Sequence, residues 1–174
     1  MKPKTSRATI ITAIFLGILI STVSIARTQT NPSTAQKAAT MSKRAIGTFD
    51  VKLSIQTDDK IGDPTIGRMS IDKVFHGDLE ATSKGQMLST VTEVKGSAGY
   101  VAIERVTGTL QGHTGSFSLQ HNATMNRGVP ELNVIVIPDS GTGQLVGLTG
   151  KLNIIITDGK HSYEFDYTLP DSAK

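Results

Sequence analysis

The sequence predicts an all-β domain, an eight-stranded antiparallel barrel, and three observations carry that expectation. From Lys43 onward the spacing is strand-like, alternating and rich in β-branched residues. Clusters of Gly, Asp, Asn and Pro interrupt it at hairpin-length intervals, with 17 glycines in the chain. Beyond the N-terminal region no stretch carries a sustained amphipathic helical period. Closure removes the exposed strand edges that invite aggregation, which matters for a chain with no cysteine and hence no disulfide. A two-sheet sandwich is the alternative, since the pattern does not say whether the first and last strands pair.

The N-terminal segment is of a different kind. Lys2, Lys4 and Arg7 form a positive start, and residues 8–26 run without a charge. Ser24-Ile25-Ala26 sets small residues three and one before a cut, as a signal peptidase requires. Residues 1–26 therefore read as a signal peptide, here expected as an N-terminal signal helix, and the protein as exported, either periplasmic or secreted. An uncleaved membrane anchor is the alternative, because the uncharged run is long enough to span a bilayer. Once the signal is cut, no stable membrane insertion is expected. Residues 27–42 (RTQTNPSTAQKAATMS) are polar and small and read as a flexible linker. Met41 offers a second start directly before the patterned domain. Residues 43–174 form one domain, long enough to bury a core without staples.

Charge excludes one class of partner. The chain has 18 Lys+Arg and 15 Asp+Glu, and three of the basic residues lie in the signal, so the remainder is balanced at 15 of each. No block of like charge remains to track a phosphate backbone, and nucleic-acid binding is not expected.

In order, the expected strands are residues 44–56, 67–76, 85–95, 99–110, 115–124, 131–137, 150–157 and 161–169. Turn clusters separate them: residues 57–64, Gly77-Asp78, Lys95-Gly96-Ser97, Gln111-Gly112-His113, Asn126-Arg127-Gly128 and Asp158-Gly159. Asp158-Gly159 is the sharpest of these, because a two-residue primed turn needs positive φ and this pair supplies it cheaply. Along residues 115–124 one face carries Phe117, Leu119 and His121 and the other Ser116, Ser118 and Gln120. That is a strand with one face in a core.

Three blocks carry a resemblance: FHGDLEATSKGQML (75–88), YVAIERVTGTLQGHTGSFSLQH (100–121) and PDSGTGQLVGLTG (138–150). In order and spacing they resemble an uncharacterised, mostly bacterial family grouped with the allene oxide cyclase-like barrels. The resemblance covers residues 43–169 and implies an eight-stranded antiparallel barrel. It implies no activity, since that family is a domain of unknown function. Plant allene oxide cyclases and dirigent proteins share the barrel and guide reactive intermediates in an apolar cavity, but fold does not fix function. No residue here matches the cyclases' catalytic positions, so no catalytic residue is assigned. The signal and linker depart from relatives that begin near the position of Met41.

Two residues stand out as a ligand-binding pair. His121 shares its strand face with Phe117 and Leu119, where it would bind a ligand or move a proton near neutral pH, or simply be a hydrogen-bonded core histidine. Glu104 lies on the face of Tyr100, Ala102 and Val106. Inside an apolar lumen its pKa is expected to be raised, making it an acid or base, unless a basic residue from a neighbouring strand pairs with it. Arg105 points the other way. Ser116, His113 and Asp78 do not make a hydrolase triad, since no Gly-x-Ser-x-Gly elbow is present. Gly141-Thr142-Gly143 lacks the strand–loop–helix setting of a phosphate loop and reads as a bulge or corner. Histidines at 76, 113, 121 and 161 have no metal-ligand spacing, so neither metal nor cofactor is expected.

The functional expectation is an exported barrel that holds a small apolar ligand or acts as an interaction scaffold. The alternative is an isomerase or cyclase acting on an apolar intermediate inside the barrel. Val101 and Ile103, with Ile135 and Ile137, would allow a homo-oligomer through the outer surface.

Overall fold

The computed structural model describes residues 41–56 and 63–170. The expected signal, and the linker up to residue 40, lie outside the described residues. Within them the chain is all-β: β1 (Lys43–Ile55), β2 (Ile66–Gly77), β3 (Leu79–Val91), β4 (Ala98–Leu110), β5 (His113–Asn126), β6 (Val129–Val136), β7 (Thr142–Gly143), β8 (Thr149–Thr157) and β9 (Lys160–Thr168). Among the described residues no helix is long and apolar enough to cross a membrane.

Every pairing is antiparallel. The order runs β4-β3-β2-β1-β9-β8-β6-β5, and β5 returns to β4, so the sheet closes on itself. The first and last long strands pair from Lys43↔Tyr167 to Phe49↔His161, which sets aside the sandwich alternative. Eight long strands make the barrel. The short β7 continues the β5 edge at Gly115 and Ser116, beyond where β6 stops. Three of the hairpins turn on two residues with positive φ: Gln111-Gly112, Arg127-Gly128 and Asp158-Gly159.

One long strand differs from the sequence reading. β3 begins at Leu79 and ends at Val91, where the alternation had suggested residues 85–95. Leu79, Ala81 and Ser83 are all buried and inward, so the strand follows directly on the Gly77-Asp78 turn. Gly85 is not a strand start but a mid-strand position without a side chain.

The core is asymmetric along the barrel. Phe75, Leu79, Leu110, Phe117, Leu152 and Phe165 pack at the end marked by the β2–β3 and β4–β5 turns. The connection between β6 and β8, residues 137–148, turns Leu145 and Leu148 into that same cluster, each 1% exposed. It is tied down by Arg105, which donates to the Ser140 carbonyl (3.1 Å) and the Ser116 hydroxyl (2.6 Å), and by a Thr142–Ser116 hydroxyl pair at 2.7 Å. The glycine-rich block read from sequence as a corner is this strap. Each fully buried Leu or Phe contributes roughly 1.5–3 kcal/mol, so the packed end supplies the stability that disulfides would otherwise give. Among the described residues, the opposite end, where β3 turns into β4 and β8 into β9, is not filled in this way.

Candidate functional site

Between the packed end and the open end lies one polar layer. The period of two that places Ile71 and Phe75 inward on β2 also places Lys73 inward. The same rule brings in Ser83 on β3, Glu104 between Ala102 and Val106 on β4, and His121 between Leu119 and Ala123 on β5. Lys73 is 6% exposed, Ser83 3%, Glu104 1% and His121 3%.

Glu104 is the centre of the layer. Its Oε1 accepts from Lys73 Nζ at 2.8 Å and lies 2.9 Å from His121 Nε2, while its Oε2 accepts from Ser83 Oγ at 2.7 Å. A carboxylate only accepts, so His121 Nε2 carries the hydrogen. Lys73 Nζ also lies over two aromatic faces, 5.0 Å from the Phe49 ring centre and 5.7 Å from that of Phe75. Among the described residues no buried side-chain nitrogen or oxygen lacks a partner.

The electrostatics of Glu104 follow the paired alternative, with a lysine from another strand as partner. Burial pushes its pKa up, but the hydrogen bond from His121 and the Lys73 charge outweigh that, and the carboxyl is held at about 2. Glu104 is therefore ionised throughout the physiological range and has no proton to give. The expected Glu104–His121 pair forms across adjacent strands. Lys73 and Ser83 escaped the sequence reading, although the run Ile71-x-Lys73-x-Phe75 carried the signal for Lys73.

Above this layer the lumen opens into a cavity of about 270 Å³. Lys73 and His121 border it, and its walls are Val51, Ile71, Met87, Leu132 and Ile154. Tyr100 and His161 also line it. A second hollow, also about 270 Å³, adjoins at the rim between the end of β3 and the start of β6 and shares Tyr100, Leu132 and Ile156. The Tyr100 ring lies 6.5 Å from His121. Burial, and then the Glu104 charge, push its phenol pKa up, so it stays protonated and able to donate.

The remaining polar candidates are dispersed. His113 bonds the Gln111 carbonyl, Ser116 belongs to the strap, and Asp78 accepts from the Ile46 amide. On the outer surface Val101 and Ile103 are 53% and 49% exposed, beside Leu88 at 49%, whereas Ile135 and Ile137 are half-buried.

Residues 45–167 match the family described as "Protein of unknown function (DUF3224)". The chain is also similar to a crystal structure, at 1.84 Å resolution, of a protein of unknown function from the same family, from Shewanella oneidensis MR-1. The two are 47% identical over 76% of this chain and 100% of that one, with a TM-score of 0.70. Comparison with curated proteins gives no match.

Proposed function

The chain belongs to the DUF3224 family of proteins of unknown function, and we propose that it is an exported barrel that holds a small, largely apolar ligand in the open half of its lumen. The observation that supports this most directly is the division of the interior into one packed end and one hollow end. A barrel serving only as a scaffold has no need of an apolar cavity above a satisfied polar layer. About 270 Å³ lies just under the ~300 Å³ at which ligand pockets begin. The adjoining rim hollow would extend the space for a longer apolar tail.

Catalysis by this layer is the weaker reading. An isomerase acting through Glu104 would need that carboxyl to exchange a proton with the bound molecule. Glu104 is ionised, and its two oxygens already accept from three neighbours. Holding is the chemistry these side chains suit.

The test is binding of 1-octanol, by calorimetry, to the wild-type protein and to Leu132→Trp, which fills the cavity from its wall. Saturable binding that the substitution abolishes supports the reading. No binding, or binding indifferent to Leu132→Trp, rejects it.

Export is supported by the positive start, the uncharged run and the Ser24-Ile25-Ala26 site. N-terminal sequencing of the protein from its own cells should begin at Arg27, whereas an intact Met1 in the membrane fraction would favour the anchor. A homo-oligomer through the outer apolar patch of Leu88, Val101 and Ile103 is tested by light scattering.

A further inference from the structure

We infer that the molecule held in the lumen is an amphipathic monocarboxylate, its head accepting from Lys73 at the cavity floor and its charge balanced by a proton taken up on Nδ1 of His121. This rests on the ligand-holding reading above.

The donors at the floor outnumber the acceptors. Lys73 has three N–H groups, and among the described residues Glu104 is the only hydrogen-bond acceptor it meets. The faces of Phe49 and Phe75 attract its charge but leave donors directed at no oxygen. A wholly apolar guest would bury this ammonium still further without giving it an acceptor, and a cationic guest would be repelled. An anionic oxygen fits.

Charge then selects how many. Lys73 and Glu104 cancel, and with His121 neutral the layer sums to zero. An anion entering an apolar cavity needs one compensating positive charge. His121 is built to supply it. Its Nε2 hydrogen is committed to Glu104, and its Nδ1 makes no hydrogen bond among the described residues. His121 also borders the cavity, so its ring is within reach of what enters there. A proton added at Nδ1 gives an imidazolium that faces Glu104 on one side and borders the cavity that receives the head.

The other titratable groups around this ring are few. Tyr100 and Glu104 come from β4, Lys73 from β2 and His161 from β9. β1, β3, β6 and β8 bring Val51, Met87, Leu132 and Ile154 to the cavity. With Lys73 offset by Glu104, one protonated histidine leaves a single positive charge, which suits a carboxylate better than a phosphate dianion.

The experiment uses octanoate and 1-octanol as probes, with calorimetry at pH 6 and pH 8 in buffers of different ionisation enthalpy. Octanoate is ionised at both, so its own titration does not enter. Wild-type protein should bind octanoate about tenfold more tightly at pH 6 than at pH 8, which by linkage is an uptake of about half a proton averaged over that range, and 1-octanol equally at both. His121→Gln, whose amide can still donate to Glu104, should remove the pH dependence. Lys73→Met alone leaves Glu104 as a buried unpaired charge and can unfold the chain. The double variant Lys73→Met/Glu104→Gln removes both charges together and should lower the octanoate-to-octanol preference at least tenfold. If 1-octanol binds but octanoate binds no better, without proton uptake, the carboxylate assignment is overturned and the lumen reading stands. An unchanged preference in the double variant overturns it equally. If neither probe binds, the lumen reading itself is lost and this inference with it.

Discussion

Gly85 on β3 stands directly opposite Glu104 on β4, and its missing side chain leaves the space that the Glu104 Cβ and backbone occupy. A Cβ at position 85 would come within 2.7 Å of the Glu104 Cβ and 2.6 Å of the Ile103 carbonyl oxygen. One of these is backbone, so the β3–β4 ladder itself would have to move. Gly85→Ala is therefore expected to destabilise the barrel by roughly 1–3 kcal/mol, as overpacking does. A urea midpoint equal to wild type would show that the close approach is not needed.

The ion pair of Lys73 and Glu104 should behave as a unit. Glu104→Gln alone leaves the Lys73 ammonium 6% exposed without a counter-charge, an expected loss of about 3–5 kcal/mol. Lys73→Met/Glu104→Gln removes both charges and should cost clearly less than the single change. Chemical denaturation of the two variants checks this. A double variant as damaged as Glu104→Gln would mean that the layer's shape matters and its charge does not.

Acid should expose the same pair. In the unfolded chain Glu104 titrates near its ordinary value of 4.5, and in the barrel it is held at about 2. A depressed folded pKa adds stability above the unfolded value, lost as pH falls through the folded one. The loss is thus expected between about pH 4.5 and pH 2 and amounts to about 3 kcal/mol. Urea midpoints measured across that window should fall steeply for wild type and more gently for Lys73→Met/Glu104→Gln. Parallel curves would contradict the assignment to Glu104.

The packed end makes a separate prediction. Leu148 is 1% exposed and comes from the strap, not from a barrel strand. Leu148→Ala should cost about 2–5 kcal/mol, the usual range for an emptied core leucine. Because Leu148 does not line the open-end cavity, affinity for 1-octanol should be unchanged. A variant equally stable, or one that lost the probe, would argue against two independent halves.

Most of the architecture was legible in the chain because strand periodicity and turn chemistry are local. Asp158-Gly159 and Arg127-Gly128 mark their hairpins through backbone conformation alone. The inward facing of Glu104 and His121 followed from alternation with Val106 and Leu119. Closure was expected from the resemblance and the cost of open edges, but alternation alone left a sandwich open, because pairing of β1 with β9 joins residues more than a hundred positions apart. The direction of the Glu104 titration was left open for the same reason: its cause, Lys73, sits two strands away and reads locally as a charged exception in an apolar run. Gly85 misled in the opposite sense. A mid-strand glycine looks like a boundary until the residue it faces is known.

A barrel that carries a ligand has the hollow half of its lumen occupied in the cell. Native mass spectrometry of the protein purified from its own cells, without added detergent or lipid, measures this directly. A bound species of small-molecule mass, released on denaturation and absent from Leu132→Trp, is the predicted result. A bare polypeptide mass in wild type and variant alike would contradict it.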